Sequence, residues 1–364
     1  MNRSDHLKAT TSTFASQIKR HGKDKNRMRQ EITVNEALTQ ECPIIDVRSP
    51  GEFEHGHIPG AFNIPLFSDE ERAKIGTVYK QNSQEAAIAL GYKYVTPKLE
   101  HFITRSQEVA PMGKVIVHCW RGGMRSEAFA NHLYGNGFVQ VSRIVGGYKA
   151  YRNFVLKELE NPLKLRVLGG YTGSGKTHIL HELIKLNEQV IDLEDIARHK
   201  GSAFGGIGQR QQPTVEQFEN NLYHEVRKLN PIKTIWVEDE SYTIGGVKIP
   251  MPFFEQMRNA TLYFIDIPGE ERIKLLVKDY ASCDKQKLAD AIHRIAKRLG
   301  GLNEKKAIEM LENSDFAEVA RITLHYYDKT YIKGLSERNK DKVVTIPLPS
   351  INHFENARYI LGIG

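Results

Sequence analysis

A single cysteine stands in the middle of an unusual loop, "HCWRGGMRS" (118–126). The loop follows an apolar run typical of a buried strand, and an amphipathic helical pattern begins where it ends. Its glycine pair lets several backbone N–H groups point at one centre, and its two arginines add positive charge. Such surroundings favour a thiolate and a bound anion. We therefore predict a nucleophile, Cys119, within a loop that holds an oxyanion or a charged sulfur or selenium, formed by Trp120, Arg121, Gly122, Gly123, Arg125 and Ser126.

A second loop, "GGYTGSGKT" (169–177), contains the pattern G-x-x-x-x-G-K-T. It lies between a short apolar run and the helical pattern "THILHELIKL", which is the context that a phosphate-binding loop requires. The lysine supplies a point charge and the threonine is able to ligate Mg²⁺. The motif predicts a bound phosphate chain without specifying ATP or hydrolysis. The predicted phosphate-binding residues are Gly170, Gly173, Ser174, Gly175, Lys176 and Thr177.

An apolar run that ends in carboxylates, "TIWVEDES" (234–241), resembles the second acidic motif of phosphate-loop proteins. Glu238 or Asp239 is predicted to hold a metal-bound water or to act as a base. The alternative is a solvated acidic turn, and no metal site is assigned from the sequence.

The segment from residue 192 to residue 222 contains a long glycine-punctuated loop. Loops of this length within a compact domain usually serve a function. Small and cationic residues suit contact with an anionic substrate, and the predicted substrate-loop residues are His199, Lys200, Gly201, Ser202 and Arg210.

An amphipathic pattern, "KQKLADAIHRIAKRLG" (285–300), predicts a helix whose apolar stripe packs in the core. Its basic residues are either a solvated face or a contact with a nucleic-acid phosphate backbone. Three of them share one flank and one lies further round the helix: Lys287, Arg294 and Arg298, with Lys297 apart.

Strand-like and helix-like segments alternate along the chain, which predicts an α/β fold with parallel sheets. We expect a flexible basic leader over 1–30, one α/β domain over 31–159 and a phosphate-loop α/β domain over 160–364, with a helical extension from about residue 270 to residue 340. The predicted strands are 43–47, 114–118 and 140–145 in the first domain, and 163–170, 189–193, 234–237, 262–267 and 343–348 in the second.

The composition of the 364 residues is that of a globular protein with a net charge of +7, which suits a phosphate-rich partner. Three widely spaced cysteines, Cys42, Cys119 and Cys283, argue against a disulfide framework or a structural zinc site and favour a reducing cytoplasm. No apolar run approaches the roughly 18 residues of a membrane span, so no membrane partner is expected. The leader has 8 Lys and Arg residues against 2 Asp residues and lacks an apolar signal core.

The segment "IIDVRSPGEFEHGHIPGAFNIPL" (44–66) resembles the opening of rhodanese domains, which carry sulfur on a cysteine as a persulfide. The resemblance covers about residues 31–159 and includes Asp46, Arg48, Glu52, His57, Ile58, Pro59, Gly60 and Ala61. Arg125 stands six positions after Cys119, one position further than is common in rhodanese loops. We expect this longer ring of amides to accommodate a donor that bears a tetrahedral phosphate.

From residue 31 to the C-terminus the chain resembles the tRNA 2-selenouridine synthase family, through "DLEDIARHKGSAFG", "QQPTVEQFE" and "VEDESYTIGGVKIP" in addition to the two loops. It departs from the family pattern at Lys200 and Tyr242, where the family commonly has arginine, and the basic leader is additional.

This resemblance implies an enzyme that replaces sulfur by selenium in 2-thiouridine at the wobble position of tRNA. The implied co-substrates are selenophosphate and geranyl diphosphate, because the sulfur is first alkylated and selenium then displaces the S-geranyl group. Cys119 would deliver selenium as a selenylated cysteine, and the phosphate loop would hold the diphosphate donor, with Mg²⁺ as an optional ion. The implied partners are the tRNA anticodon loop and an enzyme that supplies selenophosphate.

Three other interpretations remain open from the sequence. A sulfurtransferase fused to an ATP-using, kinase-like domain would carry sulfur on Cys119 and show ATP turnover that depends on Lys176. A cysteine phosphatase joined to a nucleotide-binding module would hydrolyse aryl phosphates, since His-Cys, five residues and Arg-Ser match that signature. A non-catalytic binding protein would leave both loops without chemistry.

Overall fold

A computed structural model describes residues 29–363 and shows two compact units. The first unit ends at Val155 and the second begins at Leu156, both within one helix, whereas the sequence predicts a border at residues 159 and 160. Each unit contains its own five-stranded parallel sheet, in the order β1-β5-β4-β2-β3 for the first and β12-β11-β6-β8-β7 for the second, with strand bounds given below.

The first unit places its helices around a sheet whose central strands are buried on both faces. Its strands are β1 (Arg29–Ile32), β2 (Ile44–Asp46), β3 (Phe62–Asn63), β4 (Lys114–His118) and β5 (Gln140–Ile144). Its helices are α1 (Val34–Thr39), α2 (Pro50–His55), α3 (Asp69–Gln81), α4 (Gln84–Val95), α5 (Leu99–Val109), α6 (Met124–Gly135) and α7 (Gly147–Glu158). The continuous apolar sequence of β4 follows from this position, because a parallel strand covered by helices on both sides exposes neither face.

A helical hairpin, α3–α4, is inserted between β3 and β4. Ser68 caps α3 and forms a capping box with Glu71, and Ser83 caps α4 by accepting a hydrogen bond from the Ala86 N–H. These caps satisfy N–H groups at both helix starts and fix where each helix begins. No side chain of α3 is fully buried, so the hairpin is a cover over the sheet rather than part of its centre.

The second unit begins with the strand that delivers the phosphate loop. Its strands are β6 (Leu165–Gly170), β7 (Gln189–Ile191), β8 (Ile235–Glu238), β9 (Thr243–Ile244), β10 (Val247–Lys248), β11 (Thr261–Asp266) and β12 (Val343–Pro347). Its helices are α8 (Lys176–Lys185), α9 (Leu193–Ala197), α10 (Val215–Val226), α11 (Met251–Asn259), α12 (Gly269–Tyr280), α13 (Lys285–Leu299), α14 (Gly301–Glu312), α15 (Phe316–Ser336) and α16 (His353–Ile363). The β9–β10 pair is antiparallel and lies outside the main sheet.

The helical extension packs around its own apolar cluster. The predicted stripe of α13 is buried, and it meets side chains of α14 and α15, including Ala307, Leu311 and Val319. The basic residues of α13 lie on the other side of the helix from this cluster, as the helical spacing of its apolar residues predicts.

The predicted fold class is confirmed. The differences are four strands that the sequence analysis did not predict, β1, β3, β9 and β10, and the ends of some of the predicted elements. β1 begins at Arg29, inside the expected leader, whose residues 1–28 lie outside the described part of the chain. The strand expected over 189–193 stops at Ile191, because Asp192 caps α9 by accepting a hydrogen bond from the Asp195 N–H. The long loop is shorter than the segment 192–222 suggested, since α9 and α10 occupy both of its ends.

Within residues 29–363, no helix is both long enough and apolar enough to cross a membrane.

Candidate active sites

Cys119 directly follows the carboxyl end of β4 and is the first residue of the arginine-containing loop that leads to α6. Only 3% of the residue is exposed. Its Sγ lies 3.3 Å from the hydroxyl of Ser126, and that hydroxyl donates a hydrogen bond of 3.0 Å to the carbonyl of Gly123. Ser126 therefore accepts from the thiol in this arrangement, and its hydroxyl is close enough to donate to a thiolate instead.

The loop is held against the turn that precedes α7 by a close approach of two backbones. Gly122 and Gly147 have φ values of +68° and +59°, a region that favours glycine. A Cβ on Gly147 would lie 2.3 Å from the carbonyl oxygen of Cys119 and 2.5 Å from the Gly122 nitrogen. The cysteine loop is therefore shaped by a glycine more than twenty residues away in the sequence.

We expect Gly147→Ala to destabilise the first unit by about 2 kcal/mol or more, because alanine combines a strained backbone with this backbone clash. Urea unfolding of the purified protein measures the loss. Gly123→Ala is the matched control, since Gly123 has a φ of −91° and no heavy atom within 4 Å of an added Cβ. Equal stability of the two variants would contradict the proposed contact.

A buried ion pair, Arg48 with Asp46, packs beside the cysteine loop. Arg48 binds Asp46 with Nη2 at 2.6 Å from Oδ2, and its guanidinium lies 3.7 Å from the centre of the Tyr148 ring. Burial opposes ionisation of Asp46, but His118 and Arg48 hold the pKa of its carboxyl below the usual value. The Trp120 ring packs at 5.8 Å from the Tyr148 ring and also lines a cavity.

The two arginines of the loop have different surroundings. Arg125 binds Glu52 at 3.1 Å, and the same glutamate lies 3.8 Å from Arg72 on α3. Arg121 is exposed and has no ion-pair partner among the residues described. Arg121 is therefore the loop cation most available to an incoming anion, while Glu52 holds Arg125 in place.

A cavity of about 830 Å³ lies beside Cys119 and beneath the α3–α4 hairpin. Cys119, Trp120, Arg121, Gly123 and Arg125 line it, whereas Gly122 and Ser126 stand behind the loop. Sequence reasoning did not predict this cavity, because its walls come from four separate helices whose apolar residues read as ordinary core positions.

The phosphate loop joins β6 to α8 in the predicted context. Gly173 and Gly175 both have a φ of +78°, which explains why glycine is required there. Lys176 Nζ donates to the carbonyl of Gly170 at 3.0 Å, across the loop that would receive a phosphate. Ser174 is fully buried and does not line the cavity, whereas Lys176 and Thr177 do.

The two predicted acidic residues have different positions. Glu238 is fully buried, accepts a hydrogen bond from the Leu193 N–H at 3.0 Å and does not line the cavity. Burial and the nearby Asp192 raise its pKa well above the usual value. Asp239 lines the cavity but is bound by Arg338 and by the Tyr331 hydroxyl.

Two carboxylates that the sequence analysis did not select, Glu194 and Glu240, also line the cavity around the phosphate loop. Glu194 accepts a hydrogen bond of 2.7 Å from the Thr177 hydroxyl, and burial raises its pKa even though Lys176 opposes the shift. Glu240 also lines the cavity, and burial together with Glu194 raises its pKa to about 8. Glu240 follows β8, which pairs with β6, and Glu194 follows β7, which pairs with β8. Their position after parallel strands was the sequence signal for them.

A cavity of about 1440 Å³ surrounds the phosphate loop and gathers most of the predicted residues of the second unit. All five residues of the substrate loop line it, and Arg198 Nη1 fastens that loop to the Gln211 carbonyl at 3.1 Å. Three of the four basic residues of α13 that were predicted to contact RNA line it as well, and Lys297 does not. The structure therefore brings together Lys176, Lys200, Arg210, Lys287, Arg294 and Arg298.

We expect anion binding in this cavity to weaken as pH rises through about 8. Below that value Glu240 is neutral, and above it the residue adds a negative charge that repels a phosphate chain by about 1 kcal/mol, or about fivefold in Kd. Titration calorimetry with inorganic diphosphate in chelator-treated buffer at pH 7 and pH 9.5 measures the change. Glu240→Gln should remove this component, and parallel pH profiles for the two proteins would contradict it.

The fold and the two loops define a rhodanese-like domain joined to a P-loop domain. A family model described as a rhodanese-like domain matches residues 31–154, and one described as the tRNA 2-selenouridine synthase AAA domain matches residues 163–355. Relatives with the same family description match more than 80% of the chain. The chain belongs to the tRNA 2-selenouridine synthase family.

Relatives from several bacteria carry the description tRNA 2-selenouridine synthase, among them the following three. The protein from Nitrosomonas europaea is 35% identical over 352 residues, which cover 82% of this chain and 90% of that protein. The one from Serratia proteamaculans is 36% identical and covers 83% and 89%. The one from Bdellovibrio bacteriovorus is 34% identical and covers 82% and 90%. Among solved structures, a domain from Clostridium difficile 630 is 40% identical, with a TM-score of 0.33, and covers 35% of this chain and 99% of that domain.

Proposed function

We propose that this protein replaces sulfur by selenium in 2-thiouridine at the wobble position of tRNA, through an S-geranylated nucleoside. The observation that carries the proposal is that the chain contains two different sites. One unit has a covered thiol beside an apolar cavity, and the other has a basic cavity that contains the P-loop. Relatives that are named for tRNA 2-selenouridine synthesis support the overall reaction. A tRNA substrate would place the reaction in the cytoplasm.

The proposed reaction balances in two steps without an oxidant or a reductant. In the first, the 2-thiouridine sulfur displaces diphosphate from geranyl diphosphate, a C–S bond forms, and the N3 proton leaves with the diphosphate. In the second, selenophosphate and water convert the S-geranyl nucleoside into 2-selenouridine, geranylthiol and phosphate. Alkylation is useful because a thiocarbonyl sulfur is a poor leaving group, whereas a thioether sulfur departs as a thiol.

We assign the first step to the cavity of the second unit. The P-loop amides and Lys176 suit the diphosphate that must leave with its negative charge. Thr177 and Glu194 are the oxygen ligands that Mg²⁺ would use there, and the ion would neutralise part of that charge. In residues 29–363, no group of three or more His, Cys, Asp or Glu side chains is arranged to hold a metal ion.

The tRNA contact is assigned to the basic side chains of the same cavity. Lys287, Arg294 and Arg298 lie along one flank of α13, within reach of an RNA backbone that approaches the phosphate loop. An anticodon loop is single-stranded, so its wobble base can be turned out of the stack and enter a pocket.

We assign the second step to Cys119. The arginine-containing loop suits the anionic selenium donor, whose phosphorus the Cys119 thiolate would attack, so that an S–P bond forms and the P–Se bond breaks to release selenide. Selenide then displaces geranylthiol at C2 of the nucleoside, and water hydrolyses the S–P bond to give phosphate and the free thiol. An enzyme that makes selenophosphate is the corresponding partner, because that donor must be supplied continuously.

Nucleoside mass spectrometry tests the proposal directly. The full-length protein is incubated with 2-thiouridine-containing tRNA, geranyl diphosphate and selenophosphate, and each donor is omitted in turn. We expect S-geranyl-2-thiouridine without selenophosphate and 2-selenouridine with both donors. Unmodified tRNA together with ATP turnover would instead favour a sulfurtransferase fused to a kinase-like domain.

A further inference from the structure

The cavity beside Cys119 has apolar walls, and its volume of about 830 Å³ is typical of sites that bind small molecules. At its rim, the apolar side chains Tyr79 and Met124 are 59% and 54% exposed. Such a patch next to a nucleophile indicates a ligand rather than an unfinished core. The side chains that form the apolar walls include Ile75, Tyr79, Ile88, Val95, Phe102 and Met124.

The charges around this cavity are of one dominant sign. Arg72, Lys80, Arg121 and Arg125 contribute to its lining, whereas Glu127 is the acidic residue among the lining side chains described. A ligand that fits must therefore combine an apolar part, which enters between the helices, with an anionic part that stays at the rim. An RNA that carries an alkyl chain has this combination, since its phosphates surround the modified base.

We propose that this cavity holds the geranyl chain of the S-geranylated wobble nucleotide, with the RNA backbone at the cationic rim and the C2–S bond beside Cys119. The proposal rests on the function proposed above, because it assumes that selenium is delivered at Cys119. It adds a binding site for the intermediate, distinct from the P-loop cavity that takes the diphosphate donor.

The chemistry of the second step requires such a site. The geranyl chain is attached to the sulfur that departs, so the chain lies one bond away from the carbon that selenium attacks. Wherever selenium is delivered, the chain must be accommodated within a few ångströms of the reacting atoms. The apolar walls beside Cys119 provide that space, and after displacement the same walls would retain geranylthiol until it leaves.

The first experiment measures binding without turnover. Anticodon stem-loop RNAs with S-geranyl, S-dimethylallyl or S-methyl 2-thiouridine are titrated into the full-length protein, and Kd is read from fluorescence anisotropy. Each buried CH₂ group changes affinity by a factor of about four, so burial of three or four of the additional carbons of the geranyl chain makes the S-geranyl RNA bind on the order of 100-fold more tightly than the S-methyl RNA. Equal affinities would overturn the proposal.

The second experiment fills the cavity. Ile88→Trp adds bulk to the lining, and Ala89→Trp places the same ring on the exposed side of α4, outside the lining. We expect Ile88→Trp to lower kcat/KM for S-geranyl RNA and selenophosphate by at least about tenfold while leaving the S-methyl RNA unaffected. Ala89→Trp should behave like the native protein with both RNAs, and an equal loss with S-methyl RNA would indicate damage to the loop instead.

The outcomes separate this proposal from the proposed function. If the native protein makes no selenouridine from S-geranyl RNA, the proposed function fails, and the binding series repeated with Ile88→Trp and Ala89→Trp still decides whether this cavity takes the chain. If Ile88→Trp blocks geranylation of 2-thiouridine tRNA but not selenation of pre-formed S-geranyl RNA, the cavity takes geranyl diphosphate and the proposal is wrong. Inhibition by geranylthiol that Ile88→Trp removes would support the proposal independently.

Discussion

Replacing Cys119 by serine is expected to stop the reaction at the S-geranyl nucleoside. Serine keeps the size of the side chain and its hydrogen bond to Ser126, but it is a far weaker nucleophile and a poor partner for selenium. We expect the rate of selenouridine formation to fall by at least about 1000-fold, because removal of a reacting group usually costs that much or more. Nucleoside mass spectrometry over a time course measures both products.

Geranylation provides the internal control for this variant. Cys119→Ser should form S-geranyl-2-thiouridine at the native rate, since that step is assigned to the other unit. Cys42→Ser is the matched thiol control, because Cys42 is a partly exposed cysteine of the same unit that lies outside the cavity. Selenouridine produced by Cys119→Ser at a rate near the native one would remove Cys119 from the chemistry.

Replacing Lys176 by alanine is expected to have the converse effect. The ammonium group donates to the Gly170 carbonyl across the phosphate loop and would turn to the diphosphate when it binds. Loss of one such charge from a preorganised anion site typically costs about 100-fold to 1000-fold in rate. We expect this loss in the formation of S-geranyl-2-thiouridine from 2-thiouridine tRNA.

Selenation of pre-formed S-geranyl RNA should proceed at the native rate in the same Lys176→Ala protein. Lys185→Ala is the matched control, since Lys185 lies at the other end of α8 in an exposed ion pair with Glu182. A Lys176→Ala protein that fails equally in both steps would show that the two reactions share one site, contrary to the assignment made here.

The two reactive loops could be predicted from the sequence because each is a short, continuous segment with a fixed local geometry. The cysteine loop and the P-loop both join a buried parallel strand to a helix, and apolar runs followed by glycines indicate that transition. The same reasoning located Lys287, Arg294 and Arg298 on one flank of a helix, where a period of 3.6 residues decides the face.

The residues that surround the loops could not be predicted in this way. Gly147 shapes the cysteine loop through a backbone contact made only after folding. Tyr331, on α15, donates to Asp239 and accepts from the Gly170 N–H, so it joins three elements that are far apart in sequence. Glu240 rather than Glu238 faces the cavity because β8 ends at Glu238, whose side chain still points into the buried interior.

The covered position of Cys119 also bears on how the protein withstands oxidants. Thiolates and selenolates react with peroxide according to their ionisation and their exposure, and only 3% of Cys119 is exposed. Cys42 and Cys283 are more accessible, but burial raises the pKa of Cys42 and keeps that thiol in its less reactive form. Residues of α3 and α4 line the cavity beside Cys119 and, together with the low exposure of the thiol, limit its direct contact with oxidants in solution.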